Sequence, residues 1–316
     1  MKSILVGEFG GPESLKYVEV SEPTVNLHET VVQVKAIGVN FADIHQVENS
    51  YLTPQELPFT PGLEVVGLLP SGIRVLIPLS RGGYTQKISV KDNQWVEIPE
   101  GVSDIEALST AVQGLTAWHA LKTMGHLQSG ESVVIHAAAG GVGSWAVQLA
   151  KMWGAFVIAV TSNSSKAELA KSLGADAFVD PHDKDLAGAL IAANNRKKPN
   201  VILEMVGGKR FDISLEVLAP FGRLITYGLA SRKPPTDINS VSLLKGSKTI
   251  SGFWLGDCFA EPGESLAIIT ELMNLIREKK VSPVVGTVFP LSEANLAFEA
   301  ILKRTTVGKV SLDPMC

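Results

Sequence analysis

The stretch Val133-Val134-Ile135-His136-Ala137-Ala138-Ala139-Gly140-Gly141-Val142-Gly143 limits what this chain can fold into more than any other. A short apolar run leads without interruption into a glycine-rich turn, and a helical pattern starts at Val142 and lasts to Trp153. A buried strand turning straight into a helix opens a βαβ unit, whose next strand lies parallel to the first. Further apolar runs bounded by turns follow, so that the set comprises residues 132–136, 156–160, 177–179, 201–204, 223–227 and 249–251. Helical patterns lie between them, among them 142–153, 166–173 and 211–218. Six strands alternating with helices predict an α/β, doubly wound parallel sheet covered on both faces.

The flanking sequence has a different texture. Up to about Val112 the chain is a series of short strand-like segments, such as 30–37 (TVVQVKAI) and 74–77. Turns at Gly10-Gly11-Pro12, Pro61-Gly62, Pro70-Ser71-Gly72 and Arg81-Gly82-Gly83 punctuate them. After Gly256 come an amphipathic helix at 264–279, a strand at 284–289, a helix at 292–302 with Ser292 as its N-cap, and a strand at 309–312. These last pieces add nothing to the six-strand alternation, so they are expected to complete the first domain. The predicted division is 1–113 with 257–316 for the β-rich domain and 114–256 for the inserted one. A chain of 316 residues is long for one hydrophobic core and sufficient for two.

Composition excludes several classes of partner. A net charge of −4 offers no general attraction to nucleic acid, and the densest basic run, Arg196-Lys197-Lys198, adjoins Pro199-Asn200 as a solvated loop would. Cys258 and Cys316 are the only cysteines, too few and too far apart for a structural zinc lobe or a disulfide framework. The N-terminal residues turn polar too early for a secretory signal, and no stretch approaches the ~18 apolar residues of a membrane span. The expectation is a cytoplasmic protein that engages neither membrane nor nucleic acid.

The glycine-rich turn suits a dinucleotide. A helix N-terminus presents N–H groups without carbonyl partners and a positive dipole end, and glycine lets the backbone approach a pyrophosphate. The motif reads Ala137-x-x-Gly140-x-x-Gly143, with alanine in the position usually held by the first glycine. An NAD site places Asp or Glu at the end of the second strand to accept from the ribose 2′-hydroxyl. No carboxylate occurs between Ala155 and Ala167; Thr161, Ser162 and Lys166 stand there instead. Hydroxyls and an ammonium suit a 2′-phosphate, so NADPH is the expected cofactor. A plainer reading of the same residues has Ser164 capping the next helix and Lys166 solvated.

The pattern Gly130-Glu131-(x)6-Ala138-Ala139-Gly140-Gly141-Val142-Gly143-(x)4-Gln148-(x)2-Lys151 resembles the signature of the quinone oxidoreductase (zeta-crystallin-like) branch of the medium-chain dehydrogenase/reductases. Val134 stands where that pattern usually has Leu. Further matching stretches are Gly38-Val39-Asn40-Phe41-Ala42-Asp43, Pro61-Gly62-Leu63-Glu64, Gln113-Gly114-Leu115-Thr116-Ala117, Met205-Val206-Gly207-Gly208 and Val307-Gly308-Lys309-Val310. The resemblance spans the whole chain. It implies a GroES-like β-rich catalytic domain interrupted by a six-stranded Rossmann domain, and commonly a homodimer. Leu68 to Val75 is shorter than the hairpin usual in the family.

The same resemblance bears on the site. Zinc-dependent relatives carry a Cys near the Asn40–Asp43 stretch and a Gly-His-Glu where this chain has Gly62-Leu63-Glu64. Two of the three ligands a catalytic zinc needs are missing, so no metal is expected. His45, His119, His126 and His136 show no ligand spacing and suit structural or surface roles.

An acceptor reduced without a metal must take hydride readily, as quinones and enones do. In the resemblance Asn40 and Tyr51 line its pocket, and Tyr51 is the candidate hydrogen-bond donor or proton source; Asp43 suits a structural role or one of shaping the pocket. Alternatively, Tyr51 is a loop aromatic packing on Leu52 and Pro54, and Asn40 bonds loop backbone. The resemblance assigns cofactor contacts to Thr116, Ala139, Gly140, Gly141, Val142 and Val206. It extends them to Tyr227-Gly228-Leu229 and Phe253-Trp254-Leu255, although Phe253 and Trp254 also suit a core or dimer interface. The implied activity is NADPH:quinone reduction. Alternatives are an enoyl-thioester or enone reductase, and an NADPH-binding protein with a crystallin-like or RNA-binding role and no catalysis.

Overall fold

The computed structural model describes residues 1–259 and 262–316. At the N-terminus β1 (Lys2–Val6) and β2 (Leu15–Glu19) form an antiparallel ribbon. The long β3 (Glu29–Val39) contains the alternating 30–37 segment and carries most of the pairing that follows. Asn40 leaves this strand and caps the short helix α1 (Phe41–Val47). Next come β4 (Glu64–Leu68), β5 (Arg74–Pro78), β6 (Lys87–Lys91) and β7 (Val96–Glu97). The abbreviated β4–β5 hairpin closes tightly, with Leu68 opposite Arg74 and the Leu69 N–H donating to the Ile73 carbonyl at 3.0 Å. Helix α2 (Asp104–Ser109) starts at a capping box made by Ser103 and Glu106.

A π-turn at Thr110–Gly114, helix α3 (Leu115–Trp118) and a second π-turn at His119–Met124 lead into the alternating region. Its elements are β8 (Ser132–His136), α4 (Gly141–Met152), β9 (Phe156–Val160), α5 (Ser164–Ser172), β10 (Ala177–Val179) and α6 (Leu186–Ala193). They continue as β11 (Val201–Glu204), α7 (Lys209–Val217), β12 (Arg223–Thr226), α8 (Ser240–Leu244) and β13 (Thr249–Gly252). All six strands are parallel, in the order β10-β9-β8-β11-β12-β13. That is the doubly wound 3-2-1-4-5-6 arrangement, whose order reverses between β8 and β11 and opens a crevice at their carboxyl ends. Every residue of β8 and β11 is buried, as strands covered on both faces require.

The chain then supplies α9 (Pro262–Arg277), β14 (Val285–Pro290), α10 (Ala294–Leu302) and β15 (Lys309–Asp313). Strand β15 pairs antiparallel with β3, and β14 parallel with β15, so the C-terminal pieces extend the first sheet as β14-β15-β3-β4-β5-β7, with β6 also on β3. Val32, Val34 and Ile37 of β3 share a core with Val65, Ile77, Phe298 and Leu312. Ser292 is not the N-cap of α10. It lies inside a 3-10 turn, Leu291–Glu293, drawn inward by the fully buried Leu291, and Glu293 takes the capping position. Two units result, Met1–Val112 with Cys258–Cys316 and Gln113–Asp257. They are the GroES-like and Rossmann folds respectively. Among the described residues no helix is long and apolar enough to cross a membrane.

Candidate functional site

In the Rossmann unit, β8 ends at His136 and the chain turns through Ala137, which adopts φ 52°. Left-handed backbone at this point explains why glycine is usual there, since a Cβ costs ~1 kcal/mol in that conformation. Gly140 is the N-cap of α4 and no side chain caps the helix. The N–H groups of the first turn therefore face outward from Gly141, Val142 and Gly143, as an anion site requires. A Cβ on Gly143 would lie 2.3 Å from the Ala137 carbonyl oxygen, so this glycine sets the closeness of loop and helix. Ala139 is buried, whereas Gly140, Gly141 and Val142 are half-buried.

His136 anchors the base of this loop. Its Nε2 lies 3.0 Å from the Ser214 hydroxyl of α7, both buried. Burial, with the Arg210 charge adding, lowers the imidazole pKa to about 4, so the ring is neutral at pH 7.

Around the loop the carboxyl ends of the strands carry the other expected residues. Thr161 follows β9 and is buried, and its Oγ1 has no hydrogen-bond partner. Ser162 is exposed and Lys166 half-buried. The cap of α5 is Asn163, not Ser164: the Asn163 side chain accepts from the Lys166 N–H at 2.9 Å. Ser164 is thus the first helical residue. Val206 is buried, and the Glu204 carboxylate holds its loop by accepting the Val206 N–H at 2.8 Å and the Gly207 N–H at 3.1 Å. Burial raises the Glu204 pKa against the effect of these bonds.

The β11 and β12 loops are stitched together by Ala230 N–H to the Met205 carbonyl and Ser231 N–H to the Val206 carbonyl, both 2.9 Å. Tyr227 is half-buried with its hydroxyl turned inward and enclosed without a hydrogen-bond partner, so it offers ring surface outward. Burial beside Glu204 raises the pKa of that phenol. Gly228 and Leu229 are exposed; Phe253, Trp254 and Leu255 are half-buried. Phe253 stacks on His119 at 5.4 Å between ring centroids, which gives this histidine a packing role. Thr116 is buried in α3.

In the GroES-like unit, register builds a polar cluster. Val310 of β15 pairs with Val39, and Val65 of β4 with Ile37. One step further along each ladder brings Lys309 level with Asn40 and Glu64 level with Gly38. A Cβ on Gly38 would lie 2.3 Å from Glu64 Oε1, so the missing side chain makes room for the carboxylate. Glu64 and Lys309 are fully buried and form an ion pair. Asn40 Nδ2 donates to Glu64 Oε1 at 2.8 Å, and Lys309 Nζ donates to Asn40 Oδ1 at 3.2 Å. Beneath them Asp43 accepts the Asn40 N–H at 2.7 Å and the Tyr84 hydroxyl at 3.2 Å. Burial raises the Asp43 pKa to about 7. Tyr51 is half-buried in the turn after α1, and Leu52 beside it is 71% exposed.

The structure thus places the expected residues that follow β8, β9, β11, β12 and β13 at the carboxyl ends of the Rossmann strands, Thr116 in α3, and Asn40 in a buried cluster of the other unit. Glu64 and Lys309 appeared in the sequence only as parts of matching stretches. Glu204, Ser214 and Tyr84 carried no sequence signal, because their partners are distant in the chain or are backbone groups, whereas Asn163 was one of three adjacent residues suited to cap α5. Among the described residues no three His, Cys, Asp or Glu side chains gather as a metal-binding group.

Comparison with known proteins agrees with this architecture. A family model described as zinc-binding dehydrogenase matches residues 141–273. A quinone oxidoreductase of Pseudomonas aeruginosa is 31% identical over 327 residues, covering 99% of each chain. The quinone oxidoreductase of Thermus thermophilus, solved also as its NADPH complex, has a TM-score of 0.86 at 34% identity, over 99% of this chain and 100% of that one. Escherichia coli quinone oxidoreductase complexed with NADPH has a TM-score of 0.92 at 28% identity, again over 99% and 100%. The chain belongs to the zinc-independent quinone oxidoreductase family of the medium-chain dehydrogenase/reductases, a family of oxidoreductases.

Proposed function

We propose that the protein binds NADPH in its Rossmann unit and reduces a quinone. The observation that carries this reading is the uncapped N-terminus of α4 behind a glycine turn, with no carboxylate but a buried, unpartnered hydroxyl at the end of β9. An orphaned Thr161 Oγ1 beside Ser162 and Lys166 fits a phosphorylated ribose, and NADPH accompanies two of the related structures. The bound cofactor supplies a hydride. The chain supplies the rest: N–H groups of Gly141 to Gly143 for the pyrophosphate, and the ring of Tyr227 with Leu229, Phe253, Trp254 and Leu255 as apolar surface for the nicotinamide half. Thr116, Ala139, Gly140 and Val206 complete the cofactor contacts in this assignment. On the acceptor side, Tyr51 and Asn40 donate hydrogen bonds to the oxygen on which negative charge develops.

The deciding experiment follows NADPH absorbance with a panel of quinones and, in parallel, enoyl thioesters and enones. Quinone-dependent oxidation is expected, unaffected by a chelator. Turnover confined to enoyl thioesters or enones would replace the quinone assignment and leave the cofactor assignment standing.

Lys166→Ala is expected to weaken NADPH about tenfold and NADH about twofold or less, because only the former has a 2′-phosphate for the ammonium to meet. Equal loss for both, measured by nucleotide fluorescence titration, would remove Lys166 from phosphate recognition.

We further propose a homodimer built on the Rossmann unit. Strand β13 lies at the edge of its sheet, and Phe221, Val241 and Leu244 near the start of that edge are 75%, 65% and 75% exposed. Helix α8 has no buried residue, as fits an element that a second copy covers. Sedimentation that returns the mass of a single chain at micromolar concentration would exclude it.

A further inference from the structure

We propose that Lys309 is a positioning residue for the acceptor site: with Glu64 it holds the Asn40 amide in one orientation, so that Asn40 offers a donor. The inference rests on the reading of Asn40 as an acceptor-side residue. Its basis is the pattern of bonds on a single amide. Oδ1 receives the Lys309 ammonium and Nδ2 gives a hydrogen to the Glu64 carboxylate. A flipped amide would set its carbonyl against the carboxylate and its NH2 against the ammonium, which is unfavourable at both ends among buried groups. With Oδ1 committed to a cation and one Nδ2 hydrogen spent, the second Nδ2 hydrogen is the group left to serve a developing oxyanion.

Stability does not account for a lysine here. Lys309 and Glu64 are both 0% exposed, and lysine is rarely enclosed to that extent. A buried ion pair is often no more stabilising than apolar side chains of similar size, and its charges can instead fix one arrangement. Glu64 is also secured independently of the lysine, since its Oε2 accepts the Val112 N–H at 2.8 Å inside the π-turn Thr110–Gly114. That bond takes up an N–H released where the helical ladder is disturbed. Lys309 arrives on β15, the strand that returns to the first sheet, and so the C-terminal segment carries a residue that orients the site.

A double-mutant cycle separates orientation from general support. Lys309→Met is expected to lower kcat/KM for a quinone about 30-fold in the wild-type background and about threefold or less in Asn40→Ala. The Kd for NADPH should stay within about twofold of wild type. An equal loss in both backgrounds overturns the proposal, as does full activity of Lys309→Met alongside a damaged Asn40→Ala. Full activity of Asn40→Ala removes the reading of Asn40, and the inference with it.

A second arm needs no turnover. In protein labelled with 15N-asparagine, the Asn40 side-chain amide should exchange slowly with water in wild type and rapidly in Lys309→Met; unchanged protection overturns the proposal. If Lys309→Met fails to fold because Glu64 is left unpaired, Glu64→Gln/Lys309→Met removes that charge and permits the same NMR reading.

Discussion

Alanine at position 143 is expected to reduce NADPH affinity about 100-fold, corresponding to about 3 kcal/mol, and to lower the melting temperature as well. The new Cβ would sit 2.3 Å from the Ala137 carbonyl oxygen and 2.7 Å from the Ala138 Cα. Both contacts are backbone, so no rotamer change relieves them; loop and helix must part. Their separation moves the very N–H groups that meet the pyrophosphate. Neighbouring glycines supply a graded control. At Gly141 a Cβ meets the side chain of Gln113, which can swing away, and at Gly140 it meets only the Ala137 oxygen at 3.1 Å. Losses in NADPH affinity should therefore rise from Gly140→Ala through Gly141→Ala to Gly143→Ala. Fluorescence titration beside thermal melts reads the series, and wild-type affinity in a folded Gly143→Ala protein would contradict the account.

The Rossmann unit was legible because its information is local. A buried strand, a glycine turn and a helical period occupy consecutive residues, and the six-fold alternation fixes the class of sheet. Even the absence of an acid after β9 can be read within a dozen positions. Caps were less legible: Asn163, Ser164 and Ser165 all have suitable side chains, and only the backbone decides that Asn163 caps α5. At Ser292 the burial of Leu291 overrides a good local signal.

The GroES-like cluster was mostly hidden for another reason. Glu64 and Lys309 are 245 residues apart and meet only because β4 and β15 reach the same level beside β3. Each residue taken alone looks like an ordinary charge at the end of a strand. Tyr227 shows the converse limit, because the sequence locates the residue at the cofactor edge but does not reveal that its hydroxyl points inward.

Replacing Asp43 with asparagine is expected to stabilise the protein at pH 8 by about 2–4 kcal/mol and to change little near pH 4. Burial raises the folded-state pKa of Asp43 to about 7; Glu64 on β4 acts in the same direction, against the Asn40 N–H, the Lys309 charge on β15 and the Tyr84 hydroxyl. An unfolded aspartate titrates near 3.9. Between about pH 4 and 7 the native state thus holds a proton that the unfolded chain has released, and Asp43 makes stability fall as pH rises through that window. Above about 7 both states are ionised and the slope vanishes. Asparagine retains an acceptor for the Asn40 N–H and the Tyr84 hydroxyl without an ionisation.

His136 works in the opposite sense. Its folded pKa of about 4 lies below the unfolded value near 6.5, so its contribution is present at neutral pH and is lost as pH falls from about 6.5 to 4. The two slopes oppose each other over most of the acid range in the wild-type protein, though they reside in different units. Asp43→Asn should therefore expose a rise of stability with pH between about 4 and 6.5 that the wild type masks. Urea denaturation of both proteins across pH 4–8 gives the difference directly. That difference should grow to about pH 7 and then level off; a difference independent of pH would mean that Asp43 is ionised in the native state throughout the range.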